Sequence, residues 1–109
     1  MSEVVVVVIS RAMPGRGGDG LAAFAELAAV THTEEGCLTY ALHRDPNDAD
    51  RVVLVERWSS RAAIDEHLAT AHLQHFRRKT AALWAEPAAI MVLDPVAAGD
   101  PAKGLLAGV

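Results

Sequence analysis

Residues Arg51–Trp58, with the sequence Arg-Val-Val-Leu-Val-Glu-Arg-Trp, have the pattern of an extended strand that organises the rest of the chain. Alternate residues of a strand point to the same face, so one face carries Val52, Leu54, Glu56 and Trp58. The other face is mostly valine, and a strand that is apolar on both faces belongs inside a sheet covered on both sides. Glu56 and Trp58 are therefore an unusual pair to find on a buried face.

Composition limits the classes of protein that this chain can belong to. Its 109 residues predict one domain, and no apolar run approaches the roughly 20 residues that span a bilayer. The single cysteine, Cys37, excludes an intrachain disulfide framework and suits a reducing compartment. The net charge of −4 and pI near 5.6 argue against nucleic-acid binding. The first residues lack the basic segment of a signal peptide, so we expect a cytoplasmic protein with no membrane partner.

The first part of the chain predicts a strand, a loop and a helix. Val4–Ile9 is β-branched throughout, and the glycine-rich segment Met13–Gly20 is a loop without the spacing of a phosphate-binding motif. Asp19 is the expected N-cap of a helix that runs to about Thr33. Gly36 is expected to end that helix in left-handed geometry.

A hairpin follows, and it leads to the strand quoted above. Cys37–Arg44 alternates as a strand, which places Leu38, Tyr40 and Leu42 on one face. Pro46 lies at the second position of a predicted turn between the two strands.

The second part of the chain predicts an interrupted helix and a last strand. Ser59 or Ser60 can cap a helix that begins near Arg61, and Thr70 has the position of a second cap, where the helix breaks and restarts. The last predicted strand is Ala89–Leu93.

The predicted order βαββαβ gives an α+β fold with a four-stranded antiparallel sheet and the helices on one face. We assign residues 1–95 to this domain and residues 96–109 to a C-terminal tail that is either flexible or packed on a partner subunit. Because the strands are apolar on both faces, the uncovered face predicts a homodimer in which two sheets pack face to face.

Several short motifs occur in a specific order: Gly36-Cys37-Leu38-Thr39-Tyr40, then Glu56-Arg57-Trp58, then His67, Thr70, His72 and Phe76. This series, spread over Val4 to Leu93, resembles the antibiotic biosynthesis monooxygenase family. The resemblance implies a ferredoxin-like dimeric α+β barrel with a pocket between sheet and helices. Family members include cofactor-free oxygenases of polyketide anthrones, quinol oxidases and heme-degrading enzymes.

The resemblance suggests roles for individual residues. A cofactor-free oxygenase binds a phenolic ring, removes a proton, and stabilises the developing oxyanion while the carbanion passes an electron to O₂. Trp58 is a candidate aromatic wall, and Tyr40 a candidate hydrogen-bond donor to the enolate. His67 or His72 is the candidate base, because an imidazole titrates near neutral pH. Glu56 and Phe76 are expected to support this site.

Each of these residues also has a structural interpretation. Trp58 and Tyr40 fit as core packing residues, and His67 as a hydrogen-bonded structural histidine. For Glu56 we favour a bond to the backbone or to His67 that orients the imidazole rather than a reactive role.

Cofactors are not expected. His67, His72 and His75, with or without Glu56, could supply metal ligands, but their spacing fits no known zinc-enzyme motif, and we predict no metal. Heme degradation is disfavoured, because Val4–Ser10 lacks the asparagine that heme-degrading relatives carry on the first strand.

Two functions therefore remain open. The first is a cofactor-independent monooxygenase acting on an aromatic polyketide or a quinol, together with O₂. The second is a small-ligand-binding or stress-associated module of the same fold that catalyses nothing. The first predicts an open pocket at Trp58 with a histidine within reach of the ligand. The second predicts histidines that are held by hydrogen bonds or point outward.

Overall fold

The protein, a computed structural model that describes residues 3–106, consists of a four-stranded antiparallel sheet and three helices. The strands are β1 (Val4–Arg11), β2 (Cys37–Asp45), β3 (Asp48–Trp58) and β4 (Ala89–Leu93). The helices are α1 (Gly17–Thr31), α2 (Arg61–Leu68) and α3 (Ala71–Lys79). The strand order is β2-β3-β1-β4, so the quoted strand is an interior one. The predicted α+β fold is confirmed.

The predicted interruption of the second helix is also confirmed. The side chain of Ser60 accepts a hydrogen bond from the backbone N–H of Ala63 and caps α2. The side chain of Thr70 accepts one from the N–H of Leu73 and caps α3. Two side-chain caps on one apolar stripe therefore produce two short helices instead of one long helix.

The predicted cap of the first helix was wrong. Helix α1 begins at Gly17, and Asp19 pairs with Arg16 at 2.6 Å instead of capping. The carboxylate of Asp50, on β3, accepts hydrogen bonds from the backbone N–H groups of Gly15 and Gly17 at 3.1 and 3.0 Å. A cap supplied by a distant strand leaves no local pattern in the sequence.

Gly36 does not end the helix in left-handed geometry, because Gly15 and Gly99 are the positive-φ glycines among the described residues. Gly36 instead lies directly against Ala63 of α2, where a β-carbon would collide with the alanine side chain. The absence of a side chain at Gly36 therefore lets α2 approach the start of β2.

A bulge at the start of β2 changes one predicted face. Cys37 pairs with Trp58 and Thr39 pairs with Arg57, so Leu38 has no partner and is 45% exposed. The extra residue places Leu38 outside the face that Tyr40 and Leu42 share.

The core lies between the sheet and the helices. Its buried members come from every layer and include Val6, Phe24, Leu27, Tyr40, Leu54, Trp58 and Leu73. The opposite face of the sheet is less covered: Val7 and Val55 line a groove there together with Leu106 of the tail. All five residues of the edge strand β4 are exposed. Among residues 3–106, no helix is long and apolar enough to cross a membrane.

Candidate functional site

Five of the side chains singled out in the sequence meet at one end of the sheet. Trp58 lies at the end of β3, and Tyr40 lies opposite Glu56 on β2. His67 is in the last turn of α2, and His72 is in the first turn of α3. The turn that joins these two helices therefore brings both histidines to the same place.

Glu34, which follows α1, connects the two histidines. Its Oε2 lies 2.8 Å from Nδ1 of His67 and 2.7 Å from Nε2 of His72. One carboxylate oxygen accepts from both rings when His67 carries its proton on Nδ1 and His72 carries its proton on Nε2. These tautomers leave Nε2 of His67 and Nδ1 of His72 for other partners. We call Glu34, His67 and His72 the Glu–His₂ cluster.

Thr70 fixes the position of His67 relative to His72. Its hydroxyl donates to the backbone carbonyl of His67 at 2.8 Å and accepts from the N–H of Leu73 at 3.3 Å. The same residue that breaks the helix thus fixes the relative position of the two imidazoles. The sequence predicted this break, but not the direction in which the side chains would point.

The imidazole of His67 packs against two aromatic rings. Its centroid lies 4.6 Å from that of Trp58 and 5.7 Å from that of Tyr40. All three side chains are buried, with exposed fractions of 0% for Trp58, 5% for Tyr40 and 4% for His67. These three rings are therefore shielded from solvent, and in this conformation Trp58 presents no surface to a ligand.

Glu56 has a different partner from the one expected. Its Oε1 accepts a hydrogen bond of 2.7 Å from the indole Nε1 of Trp58, while Glu34 occupies the position beside His67 that was expected for Glu56. The expected bond to His67 was therefore wrong. Glu34 lies in a turn with no periodic pattern, and its contact with His67 exists only because α2 returns over the sheet.

Burial gives Glu56 an unusual protonation equilibrium. Desolvation raises the pKa of this carboxyl to about 7, the hydrogen bond from Trp58 opposes the rise, and the charge of Glu34 adds to it. Glu56 is thus a carboxyl group that exchanges a proton near neutral pH inside the aromatic cluster.

Tyr40 and Cys37 stay protonated for the same reason. Burial raises the pKa of the Tyr40 phenol well above its usual range, and the nearby charge of Glu56 adds to the effect. Burial also raises the pKa of the Cys37 thiol to about 11, with contributions from Glu34 and Glu56. A protonated phenol is a hydrogen-bond donor, whereas a protonated thiol is a poor nucleophile.

Phe76 takes no part in the hydrogen bonds or ring contacts of the Glu–His₂ cluster. It packs 4.8 Å from Phe24 and lines a cleft of about 480 Å³ with Trp84 and Ile90. On β1, Val8 pairs with Ile90 and Val4 pairs with Trp58, so this cleft and Trp58 are separated by four residues, roughly 13 Å along the strand. The supporting role of Phe76 stays a prediction.

The second helical histidine of α3 is also outside the cluster. His75 is exposed, and with His72 and Phe76 it lines a pocket of about 120 Å³ between α1 and α3. The volume is too small for a polycyclic ring system.

Comparison with known proteins gives this geometry a context. Residues 3–79 match the family described as antibiotic biosynthesis monooxygenase. The chain belongs to this family. The resemblance drawn from the motifs is therefore confirmed over most of the domain.

Individual members of the antibiotic biosynthesis monooxygenase family match closely. A Mycobacterium tuberculosis protein named "Putative monooxygenase Rv0793" is 38% identical over 94 residues, which cover 84% of this chain and 91% of the relative. The structure of that protein superposes with a TM-score of 0.82 and 29% identity over 91% of this chain and 100% of its own. The structure of PA3566 from Pseudomonas aeruginosa superposes with a TM-score of 0.83 and 29% identity, covering 89% of this chain and 97% of that one.

Proposed function

We propose that the protein is a cofactor-independent monooxygenase acting on an electron-rich phenolic substrate, an aromatic polyketide or a quinol. The observation that carries the proposal is the position of His67: one ring nitrogen is held by Glu34, and the ring face packs on Trp58. Membership of a monooxygenase family supports the reaction class, and the substrate class is our inference.

The reaction requires one base and one hydrogen-bond donor. For an anthrone, removal of a proton from the ring methylene gives an enolate, which passes an electron to O₂. Combination of the two radicals gives a hydroperoxide, and loss of water leaves a carbonyl, so that substrate and O₂ give a quinone and water. His67 is the base through Nε2, since Nδ1 is engaged with Glu34, and the protonated phenol of Tyr40 donates to the enolate oxygen.

Substrate access requires helix α2 to move. Trp58 is fully buried, and His67 is the one buried residue of α2. Ala63 and Ile64 of α2 also pack, half-buried, against the core, but a helix with one fully buried side chain costs less to displace than one with a full apolar face. Displacement of α2 opens the face of Trp58 for a ligand ring to stack.

We further propose that the protein acts as a homodimer in the cytoplasm. The groove formed by Val7, Val55 and Leu106 and the exposed apolar edge strand β4 lie on surfaces that a second copy would cover. The single cysteine, Cys37, suits a reducing compartment.

The experiment is oxygen consumption by metal-stripped protein with a panel of anthrones and quinols. We expect turnover without added cofactor, and its loss in His67→Ala while the variant stays folded by circular dichroism. His75→Ala is the matched control, because His75 is exposed on the neighbouring helix. Equal turnover in wild type and His67→Ala would remove His67 from the mechanism.

The second candidate is a ligand-binding module without turnover. It is favoured by one observation: both imidazoles of the cluster are held by Glu34, and Trp58 is closed off, as expected for a structural hydrogen-bond network. Titration with the same panel in a Trp84→Phe background reports Trp58 fluorescence alone, since the chain has two tryptophans. Saturable quenching without oxygen consumption would favour the binding module.

A further inference from the structure

The Glu–His₂ cluster has the composition of a metal-ion site. The ligand atoms of Glu34, His67 and His72 all lie within 4.8 Å of one another. We propose that this cluster binds a divalent transition-metal ion, of which Zn²⁺ is the representative, through Nδ1 of His67, Nε2 of His72 and a carboxylate oxygen of Glu34. The sequence-based expectation of no metal considered His67, His72 and His75 with Glu56, and it did not include Glu34.

The two nitrogen–oxygen distances of the cluster are close to those between ligand atoms of one metal ion. Two ligand atoms that each lie about 2.1 Å from a metal are roughly 3.0 Å apart at a right angle and roughly 3.4 Å apart at the tetrahedral angle. The nitrogen–oxygen distances in the cluster are 2.8 and 2.7 Å. The two nitrogen–oxygen distances therefore open by about 0.2 to 0.7 Å to coordinate an ion in place of the two shared protons. The two ring nitrogens, which lie within 4.8 Å of each other, come to about 3.0 to 3.4 Å.

The three side chains differ in exposure, from the buried His67 to the more exposed His72, so that an ion can reach the cluster from solvent. The exposed fraction is 5% for the His67 side chain, 14% for Glu34 and 25% for His72. An ion can therefore enter past His72 and reach a shielded position beside His67. Thr70 fixes both helix ends around the cluster, so the ligands are preorganised.

The donor set selects the class of ion. Two imidazoles and one carboxylate suit zinc and other first-row transition metals, whereas calcium and magnesium prefer oxygen ligands. Three protein ligands leave at least one coordination position for water or a small molecule.

This inference goes beyond the proposed oxygenase and does not depend on it. In a loaded site Nδ1 of His67 is bound to the ion through its lone pair, so the proton of the neutral imidazole lies on Nε2, which then cannot accept a proton from the substrate. Metal loading therefore lowers the cofactor-independent turnover proposed above. Metal binding is measured without any substrate. Failure of the metal-site proposal can therefore be told apart from failure of the oxygenase proposal.

The test is metal binding by untagged, chelator-treated protein at neutral pH. Zn²⁺ is titrated by calorimetry, and Co²⁺ by its visible absorption, in wild type, Glu34→Gln and His72→Ala. We expect one ion per chain for wild type. In both variants we expect affinity to fall by more than the roughly tenfold to hundredfold that follows loss of an outer-shell partner. Two exposed residues serve as controls: Glu35 is next to the ligand Glu34, and His75 is one helix turn from the ligand His72. Glu35→Gln and His75→Ala should bind the ion with the affinity of wild type.

A measurement on the wild type alone covers the case in which a variant does not fold. Paramagnetic Co²⁺ should displace the imidazole proton signals of two of the five histidines, His67 and His72, far more than those of the other three. No binding by wild type, equal affinity in Glu34→Gln and wild type, or the largest Co²⁺ shifts on histidines other than His67 and His72 would each overturn the proposal.

Discussion

Nδ1 of His67 lies 2.8 Å from Oε2 of Glu34, although the two residues are 33 positions apart in the chain. In the proposed oxygenase Glu34 is a positioning residue, because it acts on the substrate only through His67. A glutamine at this position keeps the shape of the side chain and removes its charge.

We expect Glu34→Gln to lower kcat of the metal-free protein by roughly tenfold to hundredfold, with KM nearly unchanged. The split is informative, because an interaction that acts on the chemical step lowers kcat without changing substrate binding, and circular dichroism of the variant excludes a loss of folded protein. Steady-state oxygen consumption measures both constants, and Glu35→Gln is the control. An unchanged kcat would mean that Glu34 does not act through the base.

Glu56 predicts a specific dependence of stability on pH. Its pKa in the folded protein is about 7, against an ordinary value of 4.5. Because the folded state holds this proton more tightly than the unfolded chain, the free energy of unfolding falls as pH rises through the window between these two values. The full effect of Glu56 is about 3 kcal/mol by linkage, and it is complete above pH 7.

Replacing Glu56 by glutamine isolates its contribution to the pH dependence of stability. Urea unfolding at pH 5 and pH 8 should show a loss of stability in wild type that is clearly smaller in Glu56→Gln. Glu3 and Asp48 do not interfere, since their lowered pKa values keep them ionised throughout this window. Glu66→Gln, at an exposed position of α2, is the control and should behave as wild type does. Identical slopes in wild type and Glu56→Gln would show that the buried carboxyl is not the source.

Trp58 stabilises the fold in two ways, and one substitution removes both. Its indole fills a fully buried position, and its Nε1 is the donor to the buried Glu56. Trp58→Phe leaves a cavity and an unpaired carboxyl oxygen, so we expect a loss of roughly 2–4 kcal/mol in the free energy of unfolding. Trp84→Phe is the matched control: Trp84 is half-buried and donates at 3.1 Å to the Thr80 hydroxyl, so its loss should be smaller. Equal losses in denaturant unfolding would contradict this ranking.

Local signals in the sequence predicted the features that depend on near neighbours. Thr70 satisfies the N–H of Leu73, three residues away, and for this reason the break between α2 and α3 was predictable. The alternation in β3 likewise placed Trp58 and Glu56 on the covered face. Both inferences need only the geometry of one helix turn or one strand.

Contacts between distant parts of the chain were not predictable in the same way. Asp50 caps α1 across 33 positions, and Glu34 reaches His72 across 38. A carboxylate in a turn looks solvated in the sequence, and its partner is decided by where the helices come to lie. The face of Leu38 was predicted wrongly for a related reason. The bulge adds one residue between Cys37 and Thr39, and Leu38 itself is neither a glycine nor a proline that would indicate it.

The uncovered sheet face predicts the outcome of a charge substitution. Val55 lies on this face in a groove with Val7 and Leu106, and its side chain is half-buried in the single chain. If a second copy covers the groove, a glutamate at position 55 places an unpaired charge in the interface. We therefore expect Val55→Glu to shift the protein from dimer to monomer in sedimentation velocity while the circular dichroism spectrum is kept.

The control for this substitution is Ala25→Glu, which adds the same charge at an exposed position of α1. It should leave the dimer intact, because α1 packs on the opposite face of the sheet, against the core around Phe24 and Leu27. A monomeric wild type, or a dimer that persists in Val55→Glu, would mean that no second copy covers this face, and that Leu106 of the tail covers it instead. Dilution distinguishes coverage by the tail from coverage by a second copy. Coverage by the tail is intramolecular and does not depend on protein concentration, whereas a dimer dissociates on dilution.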